Sequence, residues 1–163
     1  MVGWSSLPPD LVRCVADCVL GANEVDYYMD VRAVCHNWRV ALVDPCRHGA
    51  ALRFRPRNWV MLDEEVPGPD HGGDSIRLFV NVCTGRFIRR RVPTLGDHVL
   101  VAASDGLLVL ADREYPHAAG VLNPFAGWLL RFTAAIPRMN RVRAAVDGSD
   151  DGPSLVFSFF HDP

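Results

Sequence analysis

Val31-Arg32-Ala33-Val34-Cys35-His36-Asn37-Trp38-Arg39-Val40-Ala41-Leu42 decides how the first part of the chain is read. Val31, Val34, Cys35, Trp38 and Leu42 recur at spacings of three and four, the period of one helical face. Arg32, His36 and Arg39 fall between them, toward a more polar side. Asn23-Glu24-Val25-Asp26 ahead of this stretch supplies capping chemistry, and Asp44-Pro45 closes it, because proline cannot continue a helix. The spacing predicts a helix that ends just before Asp44.

Upstream, Trp4-Ser5-Ser6-Leu7-Pro8-Pro9-Asp10 reads as a helix start, with Ser6 as the cap. Prolines are tolerated in the first turn, where the N–H groups lack intrahelical partners, and Asp10 complements the macrodipole. Leu11, Val15 and Val19 then recur every four residues, Val12, Cys14 and Cys18 widen the stripe, and Gly21 is the stop. Two or three helices of this size bury little apolar surface alone, so a partner surface or an intramolecular cap is required.

Leu7-Pro8-Pro9-Asp10-Leu11-Val12 resembles the opening Leu-Pro-x-Glu/Asp-Leu of F-box motifs, and Val31–Leu42 resembles their Val-Cys-x-x-Trp-Arg ending. The match spans residues 4–45, and residues 22–29 depart from the family's leucine-rich turn. The resemblance implies an F-box over residues 1–47 that docks a Skp-type adaptor and, through it, a cullin. Carried over residue by residue, it implies contacts by Leu7, Pro8, Leu11, Val12, Val15, Val31 and Val34. Trp38 and Leu42 are shared between that contact and the motif's own packing. Recognition of this kind uses anchors at helical spacing, with large aromatics supplying much of the energy.

From about Arg53 the texture changes to short alternating segments. Residues 76–82 alternate cleanly, which predicts a strand with Ile76, Leu78, Val80 and Val82 on one face. Residues 99–103 and 107–110 flank Ser104-Asp105-Gly106, a tight-hairpin signal. Pro67–Asp74 and Asp147–Pro153 read as exposed loops, and Leu155–Phe160 as an apolar strand with no mate after it. Val80-Asn81-x-x-x-Gly85-x-x-x-Arg89 recurs 42 residues later as Leu122-Asn123-x-x-x-Gly127-x-x-x-Arg131, and prolines 93 and 137 follow the two copies. A period of 40–50 residues with short strands belongs to propeller blades.

This order resembles a large plant family in which a kelch-like, propeller-like domain of unknown function follows the F-box. The fragments Asp105–Leu110 and Val121-Leu122-Asn123-Pro124-Phe125 carry that likeness. The expected fold class is therefore α+β: a small helical F-box, then an antiparallel, mostly β, partial propeller-like region over residues 48–163. That stretch suffices for about two to three blades, against the roughly four to eight of closed propellers.

By resemblance the chain is a non-catalytic ligase subunit that brings an unidentified protein substrate to the ubiquitin-transfer machinery. A degenerate family member, or a β-domain interaction protein outside any ligase, are the alternative readings.

Composition fits this class, with 49% apolar and 22% charged residues. Residues 1–47 carry six acids and four arginines and the remainder thirteen of each, so neither part offers a basic footprint for nucleic acid. Apolar runs are too short to cross a bilayer, and no secretory signal opens the chain, so a cytoplasmic or nuclear address is expected. Five cysteines without a Cys-x-x-Cys pair fit a reduced compartment, with Cys14 and Cys18 read as small buried hydrophobes. Neither a metal nor a cofactor is expected. Cys35 and His36 are helix neighbours whose side chains diverge, and no phosphate-binding loop or nucleophile motif occurs. All 17 basic residues are arginine, which fits either codon bias or a ligase subunit without side-chain ubiquitin acceptors.

Overall fold

The computed structural model describes residues 3–65, 76–136, 142–149 and 152–159. Helix α1 spans Pro9–Gly21, entered through an extended Pro8 with Pro9 in the first turn and Asp10 beside the N-terminal dipole. Ser6 does not cap it; its hydroxyl donates to the Gly3 carbonyl 2.7 Å away. The chain leaves α1 through Asn23, whose φ of 58° lets the Asn23 and Glu24 N–H groups reach back to the Leu20 and Val19 carbonyls.

The stretch from Val25 onward is two helices, α2 (Val25–Ala33) and α3 (His36–Ala41), followed by a single turn, α4 (Pro45–His48). Cys35 stands between them in extended backbone, φ −160° and ψ 173°. The break turns α3 back so that Trp38 and Leu42 join Val12, Ala16, Tyr28 and Phe54 in a helical core. An unbroken helix would carry Trp38 past that core; burying the indole, worth several kcal/mol, outweighs continuity of the ladder.

The remainder is antiparallel throughout. A first sheet has the order β1 (Trp59–Glu65), β2 (Ile76–Asn81), β3 (Phe87–Arg91). A short helix, α5 (Thr94–Asp97), leads to a second sheet of β4 (His98–Ser104), β5 (Leu107–Asp112), β6 (Ala118–Asn123) and β7 (Trp128–Ala135). A third sheet pairs β8 (Val142–Ser149) with β9 (Gly152–Phe159). The architecture is thus α+β, helices beside antiparallel sheets, and among the described residues the sheets do not close into a ring.

The hairpin at Asp105-Gly106 forms as expected, with φ of 50° and 78° at its two turn residues. Residues 147–149 and 152–153 are strand ends rather than loop, so Leu155 pairs with Val146 on the preceding strand. Residues 67–74, read as a loop, lie outside the described residues, as does Phe160. In β2 the alternation is real but its sides are exchanged. Phe79 and Asn81 face the core, while Val80 is half-buried and Val82 lies exposed just past the strand.

The two copies of the repeat fold alike. Asn81 Oδ1 accepts from the Cys83 and Thr84 N–H groups at 2.9 and 3.1 Å, and the Gly85 N–H returns to the Asn81 carbonyl. Asn123 Oδ1 accepts from Phe125 and Ala126 at 3.0 and 3.1 Å, and Gly127 closes the same turn. Gly85 and Gly127, at φ 71° and 68°, occupy the left-handed region in which a side chain would cost energy.

Two clusters hold the sheets. Leu108, Leu110, Leu122 and Phe125 of the second sheet and its β6–β7 turn pack against Trp59 and Phe79 of the first. On its opposite face, Val109 and Val121 meet Val146, Leu155 and Phe157 of the third. Strand β5 is therefore buried on both sides, which explains its unbroken apolar run. Val25 belongs to the first cluster and Phe54 to the helical core, so apolar packing crosses the expected 47/48 boundary in both directions.

Asn123 also donates to the Gly49 and Phe54 carbonyls at 3.0 and 2.8 Å, whereas Asn81 reaches only Glu24, at 3.4 Å. Asn123→Ala should therefore lower unfolding free energy by about 2–4 kcal/mol and Asn81→Ala by less. Urea titration of both variants checks this, and equal losses would show that the tie to the helical layer contributes nothing.

Candidate partner-docking face of the helical layer

The apolar arc of helix α1 runs well past its buried face, and only the exposed stripe Asp10–Arg13–Asp17 is charged. Val12 and Ala16 are buried in the helical core, with Val19 and Leu20 half-buried beside them. Leu11 and Val15 point the other way, 48% and 42% exposed, and Cys14 and Cys18 lie on the same outer side. The spacing 11, 14, 15, 18 is that of one helical stripe. Cys14 and Cys18 are thus exposed, contrary to their reading as buried hydrophobes; with apolar residues on both sides, periodicity does not say which side faces in. Among the described residues no cluster of metal-ligating side chains forms.

The residues expected at the partner contact separate into two sets. Leu11, Val15 and Val34 are exposed, Pro8 is exposed beside them, and Leu7 and Val31 are half-buried. Val12, Trp38 and Leu42 are buried in the helical core, 1%, 6% and 9% exposed, and offer a partner almost no surface. Their work is positional. The Trp38 indole donates to the Trp4 carbonyl at 3.0 Å and Asn37 to the Ser5 carbonyl at 3.2 Å, which strap the N-terminal turn against α3. The strap holds Leu7 and Pro8 next to the head of α1.

Arg32 holds the far end. Its guanidinium donates to the Val43 carbonyl at 3.0 Å and to Asp44 Oδ1 at 2.8 Å, and the Tyr28 hydroxyl joins the same carbonyl at 2.9 Å. Burial raises the Tyr28 phenol above its usual range, so it remains a neutral donor. At Asp44 burial acts upward, but the Cys46 N–H and the Arg32 guanidinium outweigh it and hold the carboxyl below the usual range.

The layer is anchored to the sheets at its α1–α2 corner. Asn23 donates to the Arg55 carbonyl at 2.9 Å and accepts from the Asn58 N–H at 3.1 Å. It is a bridge rather than a helix cap, a role that its place in a polar run does not announce. Arg86 of the first repeat turn pairs with Glu24 at 2.6 Å and Asp26 at 2.7 Å, with its guanidinium carbon 4.2 Å from the Tyr27 ring centre and 4.8 Å from that of Trp59. The hydrogen bond to Asp26 leads the interactions that raise its pKa, so it is a permanent cation.

Two concavities lie on the β region. One, about 240 Å³, opens between the first two sheets and is lined by Trp59, Met61, Phe79, Leu107 and Phe125. The other, about 380 Å³, holds His98 and Asp112. Sequence spacing did not join these two; strand pairing does, because they are register partners across β4 and β5. His98 Nδ1 lies 2.8 Å from the Thr94 carbonyl, and Nε2 lies 2.8 Å from Asp112 Oδ1 without hydrogen-bond alignment. The lining side chains include no serine, threonine or cysteine for such a pair to activate.

No protein-family model, curated protein or solved structure matches the chain. No helix among the described residues is long and apolar enough to cross a membrane.

Leu11→Asp and Val15→Asp should each change unfolding free energy by under about 0.5 kcal/mol, whereas Trp38→Ala should cost about 3–5 kcal/mol. Thermal or urea unfolding of the three variants is the measurement, and a large loss at Leu11 or Val15 would mean that their face is internally packed.

Asp44 gives a pH signature. A carboxyl lowered in the folded state stabilises above its unfolded pKa and loses that contribution as pH falls through the folded value. Since Asp44 is partly exposed, Asp44→Asn should cost under about 1 kcal/mol at neutral pH. The gap to wild type should shrink below about pH 4. A gap independent of pH in urea titrations would remove the charge from the account.

Proposed function

We propose that the chain is a non-catalytic F-box adaptor subunit of a Skp–cullin–F-box ubiquitin ligase. The outer face of α1 docks the Skp-type adaptor, and the β region presents a surface to a protein substrate. One observation carries the docking half: the apolar arc of α1 runs past its buried face, and among the described residues the stripe Leu11–Cys14–Val15–Cys18 has no cover. An apolar arc wider than the buried face leaves surface for a second cover, and the F-box resemblance names one.

In this reading Leu7, Pro8, Leu11, Val15 and Val34 meet the adaptor, with Val31 at the margin. Val12, Trp38 and Leu42 set their geometry from behind. The chain makes and breaks no bond; it raises the local concentration of substrate beside the charged ubiquitin carrier.

The recruiting half rests on the β region read as a propeller-like array. The matching Asn–Gly turns 42 residues apart and the serial stacking of three sheets support that reading. A degenerate F-box member, holding the adaptor without a working substrate face, is favoured by one fact: the described sheets have three, four and two strands and stay open. A substrate that accumulates when the chain is depleted separates recruiter from degenerate member.

Affinity purification tests docking. Removing residues 1–47 would also strip Val25 from the sheet cluster, so point variants are the cleaner tool. The wild-type chain should recover the Skp-type adaptor and cullin, and Leu11→Asp combined with Val15→Asp should reduce recovery at least about tenfold with unchanged melting temperature. Equal recovery by both, or none by wild type, contradicts the proposal.

A further inference from the structure

The concavity between the first two sheets has features that a plain packing gap lacks. Trp59, Val60 and Met61 line it in succession. Neighbours in a strand point to opposite faces, so three in a row place the concavity along the edge of β1. No described strand pairs that edge. Across from it, Leu100 and Ala103 of β4 line the same space. Two residues three apart share a side of a strand here because the pairing with β5 slips between Leu100 and Ala102, a bulge that re-aims Leu100.

The walls are apolar, and two polar groups among them are uncommitted. Trp59 is 6% exposed and its indole N–H has no partner among the described residues, whereas buried indole N–H groups ordinarily find one. Asp105 at the rim is held by Arg55 at 2.6 Å, but the exposed Arg57 guanidinium beside it has no described partner. The uncommitted charge at the opening is therefore positive. Gly106 fixes this rim: a Cβ there would lie 2.7 Å from the Pro56 backbone, so the hairpin tip and the Pro56–Arg57 segment meet backbone to backbone.

The volume, about 240 Å³, exceeds the roughly 150 Å³ that holds a benzene ring and falls below the roughly 300 Å³ at which drug-sized sites begin. It has room for one aromatic side chain. Val60 and Leu100, 46% and 38% exposed, continue the apolar surface past the opening. A free one-ring acid would leave that surface bare, and a peptide would cover it.

We propose that this concavity holds one aromatic side chain of an extended peptide laid along β1, with an acidic residue beside it in the peptide paired to Arg57. The β1 edge supplies main-chain hydrogen bonds, the walls select the ring, and the Trp59 N–H donates to a peptide carbonyl. The inference rests on the recruiting half of the proposed function, whose recognition element it names, and makes no use of α1.

Fluorescence anisotropy of the full chain with two short end-blocked peptides, one centred on Glu-Phe and one on Phe-Glu, tests it. Wild type should bind at least one of them saturably. Replacing its acid by Gln or its ring by Ser should weaken binding at least about tenfold. Arg57→Glu, at an exposed position, should lose that peptide and gain the counterpart with Lys in place of Glu. Ala103→Phe, also at an exposed position, should close the opening and abolish binding with an unchanged melting temperature. Leu11→Asp with Val15→Asp should bind as wild type does.

No saturable binding of either peptide overturns the proposal, as does Arg57→Glu binding like wild type. Phenylpropionate binding as tightly as the peptide overturns it too, and gives the site to free aromatic acids. The two readings fail separately. Peptide binding by a chain that recovers no Skp-type adaptor leaves the site standing and ends the ligase reading; adaptor recovery without peptide binding does the reverse.

Discussion

The seating of the α1–α2 corner on the sheets is the interaction on which the rest of the structure depends. Val25 is fully buried among Trp59, Phe79, Leu108 and Phe125, so four sheet residues and one helix share a single apolar site. Around it, Asn23 bridges to Arg55 and Asn58, and Arg86 binds Glu24 and Asp26 together. Burying those carboxylates unpaired would cost several kcal/mol, so the guanidinium between them makes the buried corner affordable. The corner seats the α1 end of the helical layer, and among the described residues the outer side of α1 takes no part in that seating.

Asn81 and Asn123 extend the same logic. Each turns its own hairpin with its side-chain oxygen and spends its amide nitrogen on the helical layer, toward Glu24 in one copy and Gly49 and Phe54 in the other. The repeat is thus also the means by which successive sheets grip one covering layer. Buried amides satisfied on both sides fix register more sharply than apolar contact alone, because a slipped strand would leave them unpaired.

Much of this was legible in the residues. Periodicity located α1 and the residues of α2 and α3, Asp105-Gly106 located a hairpin, and the Asn–Gly spacing found the two equivalent turns. The break at Cys35 was hidden because the apolar period continues across it, and only tertiary burial of Trp38 requires the chain to fold back there. The sides of β2 were hidden because the more apolar row is the outer one, while the inner row carries Arg77 and Asn81, polar groups that ordinarily mark the solvent side. For the candidate site, residue identity was readable but orientation was not, since the charged stripe Asp10–Arg13–Asp17 of α1 is narrow and apolar residues flank it on both sides. Val12 and Leu11 are neighbours in sequence with opposite duties.

The account stands or falls on whether the outer stripe of α1 is the surface a Skp-type adaptor covers. Cys14 and Cys18 lie in that stripe and Cys83 lies exposed in the first repeat turn, so the molecule carries both probe and internal reference. Thiol alkylation followed by mass spectrometry, with and without the adaptor, measures the cover directly. With the adaptor bound, labelling of Cys14 and Cys18 should slow several-fold while that of Cys83 stays unchanged. Labelling of Cys14 and Cys18 at the same rate in both samples, with the adaptor bound, would contradict it.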